Sequence, residues 1–156
     1  DIPGMSIGSG AERTLLGRRS ARMLFELGHA TVPCISVVLR KGYGLGFLAM
    51  AGGRSFGADA ALAWPTAEIC AMSVEGSVDV VWRKDIDAAS DPDARRRELI
   101  AGIRANVGPL QAAEGFGIDD LIAPGETRAR IADVLARSLP RKDRHMPPKY
   151  RAISPI

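Results

Sequence analysis

The sequence predicts an α/β domain, and three observations predict it. Short, β-branched apolar runs alternate with stretches of helical period. A run of glycines sits where the first strand hands over to a helix. The chain has 156 residues, 46% of them apolar and 25% charged, enough for one domain with a real hydrophobic core. The connections are irregular and glycines crowd the middle, so a regular doubly wound sheet is not the expected arrangement.

Asp1-Ile2-Pro3-Gly4 reads as a turn and Gly8-Ser9-Gly10 as a loop before a helix. From Ala11 to Leu27 the period is helical. Leu16, Ser20, Met23, Leu24 and Leu27 fall on one face, Arg18, Arg22 and Glu26 on another, and Gly28 closes the helix. Cys34 to Leu39 is short and almost wholly apolar, as a strand buried on both faces should be. After Arg40-Lys41 come Gly42, Gly44 and Gly46, then a small-residue helix from Phe47 to Ala51. Ala58 to Trp64 is a second buried strand, stopped by Pro65. Glu75 to Arg83 is helical.

Asp91-Pro92 is a helix start, with Asp as N-cap and Pro at the first helical position. The apolar stripe of that helix is Leu99, Ile100, Ile103 and Val107, and Gly108-Pro109 breaks it. Pro109 to Glu114 is a short helix and Ile118 to Ile122 a short extended piece. Thr127, Ile131, Val134, Leu135 and Ser138 mark a last amphipathic helix. Residues 140–156 lose all periodicity and read as an extended, basic, proline-containing arm.

Several function classes receive no support. The formal charge is only +3, with much of the basic excess between Arg141 and Arg151, so the domain is not expected to bind nucleic acid. No apolar run reaches the ~18 residues of a membrane helix. No signal peptide is visible, although the chain starts at Asp1 and not at Met. Cys34 and Cys70 share no metal-ligand spacing, and two isolated thiols fit a reducing cytosol.

Chemistry is best sought at Gly42-Tyr43-Gly44-Leu45-Gly46. Glycines entering a helix present unpaired backbone N–H groups that suit an anion or a developing oxyanion. The competing reading is that these glycines only let helix and strand pack closely. A dinucleotide loop fits poorly, since the spacing is G-x-G-x-G and Asp59, the candidate ribose acid, ends no clear strand. His29 and His145 have no nucleophile or carboxylate at a motif spacing, and Cys34 reads as a core thiol. Glu68 and Glu75 could form a carboxylate pair or pair locally, and Arg40 and Lys41 could face a phosphate or the solvent. No general base is visible.

At this junction the sequence resembles a known family. Val37-Val38-Leu39-Arg40-Lys41-Gly42-Tyr43-Gly44 and Ala63-Trp64-Pro65-Thr66-Ala67-Glu68 are similar to segments of the carboxyltransferase subunits (beta chains) of biotin-dependent acyl-CoA carboxylases. Supporting stretches are Asp1-Ile2-Pro3-Gly4, Ala30-Thr31-Val32-Pro33, Met50-Ala51-Gly52-Gly53, Glu75-Gly76-Ser77-Val78 and Ile118-Asp119-Asp120-Leu121-Ile122, in the family's order. The resemblance implies a crotonase/ClpP-like spiral of ββα units. It places residues 1–139 in the later part of the C-terminal carboxyltransferase domain, with the N-terminal half and the opening strands lying outside this sequence.

What the resemblance implies about function is specific. Leu45 and Gly46 match the backbone N–H donors of the biotin-side oxyanion hole, and Gly44, Phe47 and Leu48 match substrate-binding positions. The donors would stabilise the ureido oxygen left charged when carboxybiotin, delivered on a separate carrier protein or domain, releases CO2. The biotin nitrogen would then take the α-proton of an acyl-CoA held by the other half, so no side-chain acid or base and no metal is expected here. Many members have Gly-Gly-Ala where this chain has Gly44-Leu45-Gly46, and Met50 to Gly53 carries one residue more than the commonest version. The expected partners are acyl-CoA, the biotin carboxyl carrier, the biotin carboxylase subunit, the N-terminal half and further copies of the subunit, in the cytoplasm. Alone, the chain is expected not to run the reaction. The alternatives are a biotin-dependent decarboxylase subunit, or a truncated, non-catalytic paralogue kept as an interaction partner. If Gly46 has an ordinary helical φ, alanine there is expected to be mild.

Overall fold

The computed structural model describes residues 1–30, 32–51, 53–54 and 57–138; the expected arm from 140 to 156, with His145, lies outside the described residues, as do Thr31 and Gly52. The helices are α1 (Ser9–Arg13), α2 (Leu16–His29), α3 (Gly44–Ala51), α4 (Val74–Val81), α5 (Arg83–Ala88), α6 (Pro92–Arg104), α7 (Pro109–Glu114) and α8 (Thr127–Arg137). The strands are β1 (Ile35–Val38), β2 (Lys41–Tyr43), β3 (Ala60–Ala63), β4 (Glu68–Cys70) and β5 (Asp120–Leu121). Among the described residues no helix is long and apolar enough to cross a membrane.

The chain winds as a spiral of two-strand, one-helix turns. β1, β2 and α3 make one turn, β3, β4 and α4 the next, and β5 opens a third. Equivalent strands of successive turns pair in parallel, giving one sheet in the order β1-β3-β5 and a second of β2-β4. The registers place Ile35 beside Ala60, Lys41 beside Glu68 and Leu62 beside Asp120. Ile2 extends the smaller sheet by a parallel bridge to Gly42.

Each strand added to the larger sheet is started by an aspartate. The Asp59 carboxylate accepts the Cys34 N–H at 2.8 Å while the Asp59 N–H donates to the Cys34 carbonyl at 2.7 Å. Asp119 repeats both bonds with Ala61, at 2.8 and 2.7 Å. Asp59 is therefore engaged in strand pairing, which removes the ribose-binding alternative.

Alternation along the strands sends side chains to two separate cores. On one face Val38 and Ala63 pack with Phe47 of α3, Ala67 and Ile118, flanked by Ile2, Leu48, Ile69, Ala112 and Ala113. On the other, Ala60, Leu62 and Ile122 pack with Ile35, Val37, Trp64 and Val134 of α8. β3 is buried along its whole length because it lies between β1 and β5. β1 is buried only at Ser36 and Val38, since it pairs on one side alone among the described residues, so the expectation of burial on both faces is corrected.

Helix boundaries depart from the sequence reading where backbone geometry intervenes. The expected Ala11–Leu27 helix is two helices, broken at Leu15, whose φ of 54° and ψ of 41° are left-handed. Gly28 does not close α2; it is buried in the last turn, and Ala30 is the C-cap. Trp82 divides the expected Glu75–Arg83 helix, giving α4 and the additional α5. Asp91 caps α6 as expected, its side chain accepting the Ala94 N–H at 2.9 Å.

α6 has no fully buried residue, and arginines tie it to its neighbours. Arg96 forms two bonds to Asp79 of α4 at 2.6 and 2.8 Å, Arg95 bridges Asp85 of α5 and Glu98, and Arg104 pairs with Glu75. These pairs are exposed, hence individually weak and screened by salt. The Arg96 hydrogen bond holds Asp79 below its ordinary carboxylate range. A bond from its own backbone N–H, then Arg104, lowers Glu75. A carboxylate lowered in the folded state contributes stability that is present above its ordinary pKa and lost as pH falls through the lowered value. Acidification below about pH 4 is therefore expected to reduce amide protection in α6 while leaving β3 protected. Hydrogen exchange resolved by residue, at low and at moderate salt, checks this.

Candidate functional site at the start of helix α3

The glycine run lies at the crossover from β2 into α3, and each glycine has its own steric reason. A Cβ on Gly42 would stand 3.2 Å from a Val38 methyl and 3.5 Å from the Phe47 ring. Gly44 has a φ of 54°, and its Cβ would lie 2.5 Å from the Ala71 carbonyl oxygen. A Cβ on Gly46 would lie 2.5 Å from the Gly4 carbonyl carbon and 2.9 Å from the Met5 nitrogen. Close packing is therefore a sufficient reason for all three. It also overturns the expectation for alanine at Gly46: φ is not the obstacle there, the Gly4–Met5 peptide is.

This packing wedges the first turn of α3 between two stretches of main chain. On one side the Tyr43 N–H donates to the Ile2 carbonyl at 3.0 Å, and Gly4 and Met5 lie against Gly46. On the other, Gly44 abuts Ala71 directly after β4. Between them Leu45 is 49% exposed. Among the described residues no turn, loop or cap acceptor receives the N–H of Leu45 or Gly46. A helix start with free N–H groups and a half-open face can hold an anion.

The proposed site residues do not share one environment. Leu45 lies at the open face, whereas Gly46 is buried beneath Gly4 and Met5. Phe47 is 8% exposed and belongs to the core with Val38 and Ala63. Leu48 is half-buried against the same cluster.

Two of the polar groups nearby, Tyr43 and Glu68, are engaged with each other. Lys41, Tyr43, Glu68 and Cys70 alternate onto one side of the smaller sheet, opposite Gly42 and Ile69. The buried Tyr43 hydroxyl donates to Glu68 Oε2. Burial, then this bond, pushes the Tyr43 hydroxyl far above its usual range, so it stays a proton donor. Burial and then Glu68 also push the Cys70 thiol up, which makes it a poor nucleophile. Glu68 and Glu75 are thus not a carboxylate pair: one serves Tyr43, the other Arg104. Arg40 is bound to Asp1 through two nitrogens, at 2.6 and 3.1 Å. The Tyr43–Glu68 pair and the Gly4–Met5 contact escaped the sequence reading. Recognising Glu68–Cys70 as a strand would have exposed the first; no local pattern signals the second.

Residues 1–153 match the family described as the carboxyl transferase domain. The chain belongs to that family. A propionyl-CoA carboxylase carboxyltransferase subunit from Haloferax mediterranei is 41% identical over 158 aligned residues, covering all of this chain and 30% of that protein. The methylmalonyl-CoA carboxyltransferase 12S subunit of Propionibacterium freudenreichii subsp. shermanii is 47% identical over 136, covering 86% of this chain and 26% of that one. A solved transcarboxylase 12S structure, described as a hexamer assembly with methylmalonyl-coenzyme A and methylmalonic acid bound, superposes with a TM-score of 0.80 at 41% identity. It covers 97% of this chain and 30% of that one. The parallel α/β spiral is thus the fold of this carboxyl transferase family, and the chain spans about a third of the length of these relatives.

The glycines of this family member separate strain from space. Gly44→Ala places a side chain in left-handed backbone, a penalty of roughly 1–2 kcal/mol before the collision with Ala71 is added. Gly102 in α6 has open space around its Cβ position, so Gly102→Ala should stabilise by roughly 0.5–1 kcal/mol. Urea unfolding midpoints of the two variants should move in opposite directions.

Proposed function

We propose that this chain is the biotin-facing part of an acyl-CoA carboxyltransferase, residues 1–139 forming part of that domain. The observation that supports it best is the start of α3, where N–H groups of Leu45 and Gly46 have no turn, loop or cap acceptor among the described residues and Leu45 is half open to solvent. Carboxybiotin, brought by a carrier, supplies the carboxyl group. Leu45 and Gly46 hold the ureido oxygen by backbone N–H bonds that strengthen as negative charge develops, which favours the transition state over the bound reactant. Gly44 makes the turn that aims them, Phe47 anchors the helix in the core, and Leu48 lines the acyl side.

Side-chain chemistry nearby fits that division of labour. Tyr43 keeps its proton and Cys70 stays a thiol at neutral pH, so neither competes as a base or nucleophile. The relatives' names point to a short acyl-CoA such as propionyl- or methylmalonyl-CoA as substrate. The acyl-CoA is held by the other half of the subunit, and the working form is a cytoplasmic homo-oligomer with biotin carrier and biotin carboxylase partners.

The test uses the whole subunit that contains this chain. Proline at 46 would introduce a Cβ against Gly4, so Leu45 is the cleaner position: it already bears a side chain and lies in the first helical turn, where proline is tolerated. Leu45→Pro should lower kcat for carboxyl transfer by ~10²–10³-fold, about 2.7–4 kcal/mol. Leu45→Ala, which keeps the N–H, should stay within a few-fold of native, with both variants matching native circular dichroism. Equal losses for the two substitutions would remove the N–H assignment.

A further inference from the structure

We infer that Tyr43 and Glu68 form a positioning pair that sets the direction of the Leu45 and Gly46 N–H groups; this rests on the reading just proposed. Tyr43 is the last residue of β2, is 3% exposed, and immediately precedes the left-handed Gly44 from which α3 starts. Glu68 is the first residue of β4. In the parallel register Tyr43 faces Cys70 and Glu68 faces Lys41, so the hydroxyl-to-carboxylate bond runs diagonally across the ladder. A diagonal tie adds to the few ladder bonds of these three-residue parallel strands in resisting sliding of one strand along the other.

The same residue fixes the other side of the wedge. The Tyr43 N–H donates to Ile2, whose segment continues to the Gly4–Met5 peptide lying on Gly46. Tyr43 is thus held at its backbone toward residues 2–5 and at its side chain toward β4, one residue before the helix begins. Release of the hydroxyl leaves β2 free to shift against β4, and the turn at Gly44 passes that shift to Leu45 and Gly46. Neither Tyr43 nor Glu68 needs to touch substrate for this.

The experiment compares Tyr43→Phe, Glu68→Ala, Glu68→Gln and the Tyr43→Phe/Glu68→Ala double variant in the whole subunit, with kcat, KM for acyl-CoA and thermal unfolding measured for each. Tyr43→Phe and Glu68→Ala should each lower kcat by roughly ten- to a hundredfold with KM unchanged, the scale expected of small misplacements of catalytic groups. The double variant should be no worse than either single one, since both remove one bond. Glu68→Gln retains an oxygen that accepts the hydroxyl and should recover most of kcat. Native kcat in Tyr43→Phe, even with a lowered Tm, overturns the inference. So does a Glu68→Gln variant as impaired as Glu68→Ala, or a Tyr43→Phe subunit that no longer folds. Loss in Leu45→Pro without loss in Tyr43→Phe removes the positioning pair and leaves the proposed function standing. Absence of carboxyl transfer in the unmodified subunit removes both.

Discussion

Gly44 and Gly46 let two other stretches of main chain approach the first turn of α3 more closely than any Cβ would permit. The rest of the arrangement follows from that approach. The Ile2–Met5 segment can lie along β2 because nothing projects from Gly46, and the chain can leave β4 through Ala71 because nothing projects from Gly44. The helix is then seated by Phe47 in the core shared with Val38, Ala63 and Ala67, burial of an aromatic ring contributing roughly 1.5–3 kcal/mol. Packing and chemistry are not rival explanations of the glycines. The spacing that close packing demands is the spacing that leaves the helix start uncovered at Leu45.

Most of the fold was legible because its signals are local. Asp91-Pro92 names the start of α6 through cap chemistry, and β1 and β3 announce themselves as apolar runs. β4 was missed because Glu68-Ile69-Cys70 offers one apolar residue between two polar ones, too few for a period to show. The breaks at Leu15 and Trp82 were missed for a different reason: both residue types occur within helices, and only the backbone angles at the two positions reveal them.

The candidate site divides the same way. The glycine run was visible in the sequence, and so was the family it resembles. The depth of Gly46 under Gly4 was not, because a contact between residues 42 positions apart leaves no trace in either segment. Nor could sequence show that Phe47 turns into the core while Leu45, two residues earlier, faces out; that follows from where β2 releases the chain.

The aspartates that begin β3 and β5 make bonds of the same kind across very different lengths of chain. Cys34 and Asp59 are 25 residues apart, Ala61 and Asp119 58 apart. The longer excursion contains α4 to α7, yet loop-closure entropy grows only with the logarithm of length, so its additional cost is under about 1 kcal/mol. One clamp of two hydrogen bonds at each strand start is enough to absorb that difference. The helical excursion between β4 and β5 can therefore be lengthened, shortened or resurfaced in the course of evolution while the strand order, and the geometry at the start of α3, stay as they are.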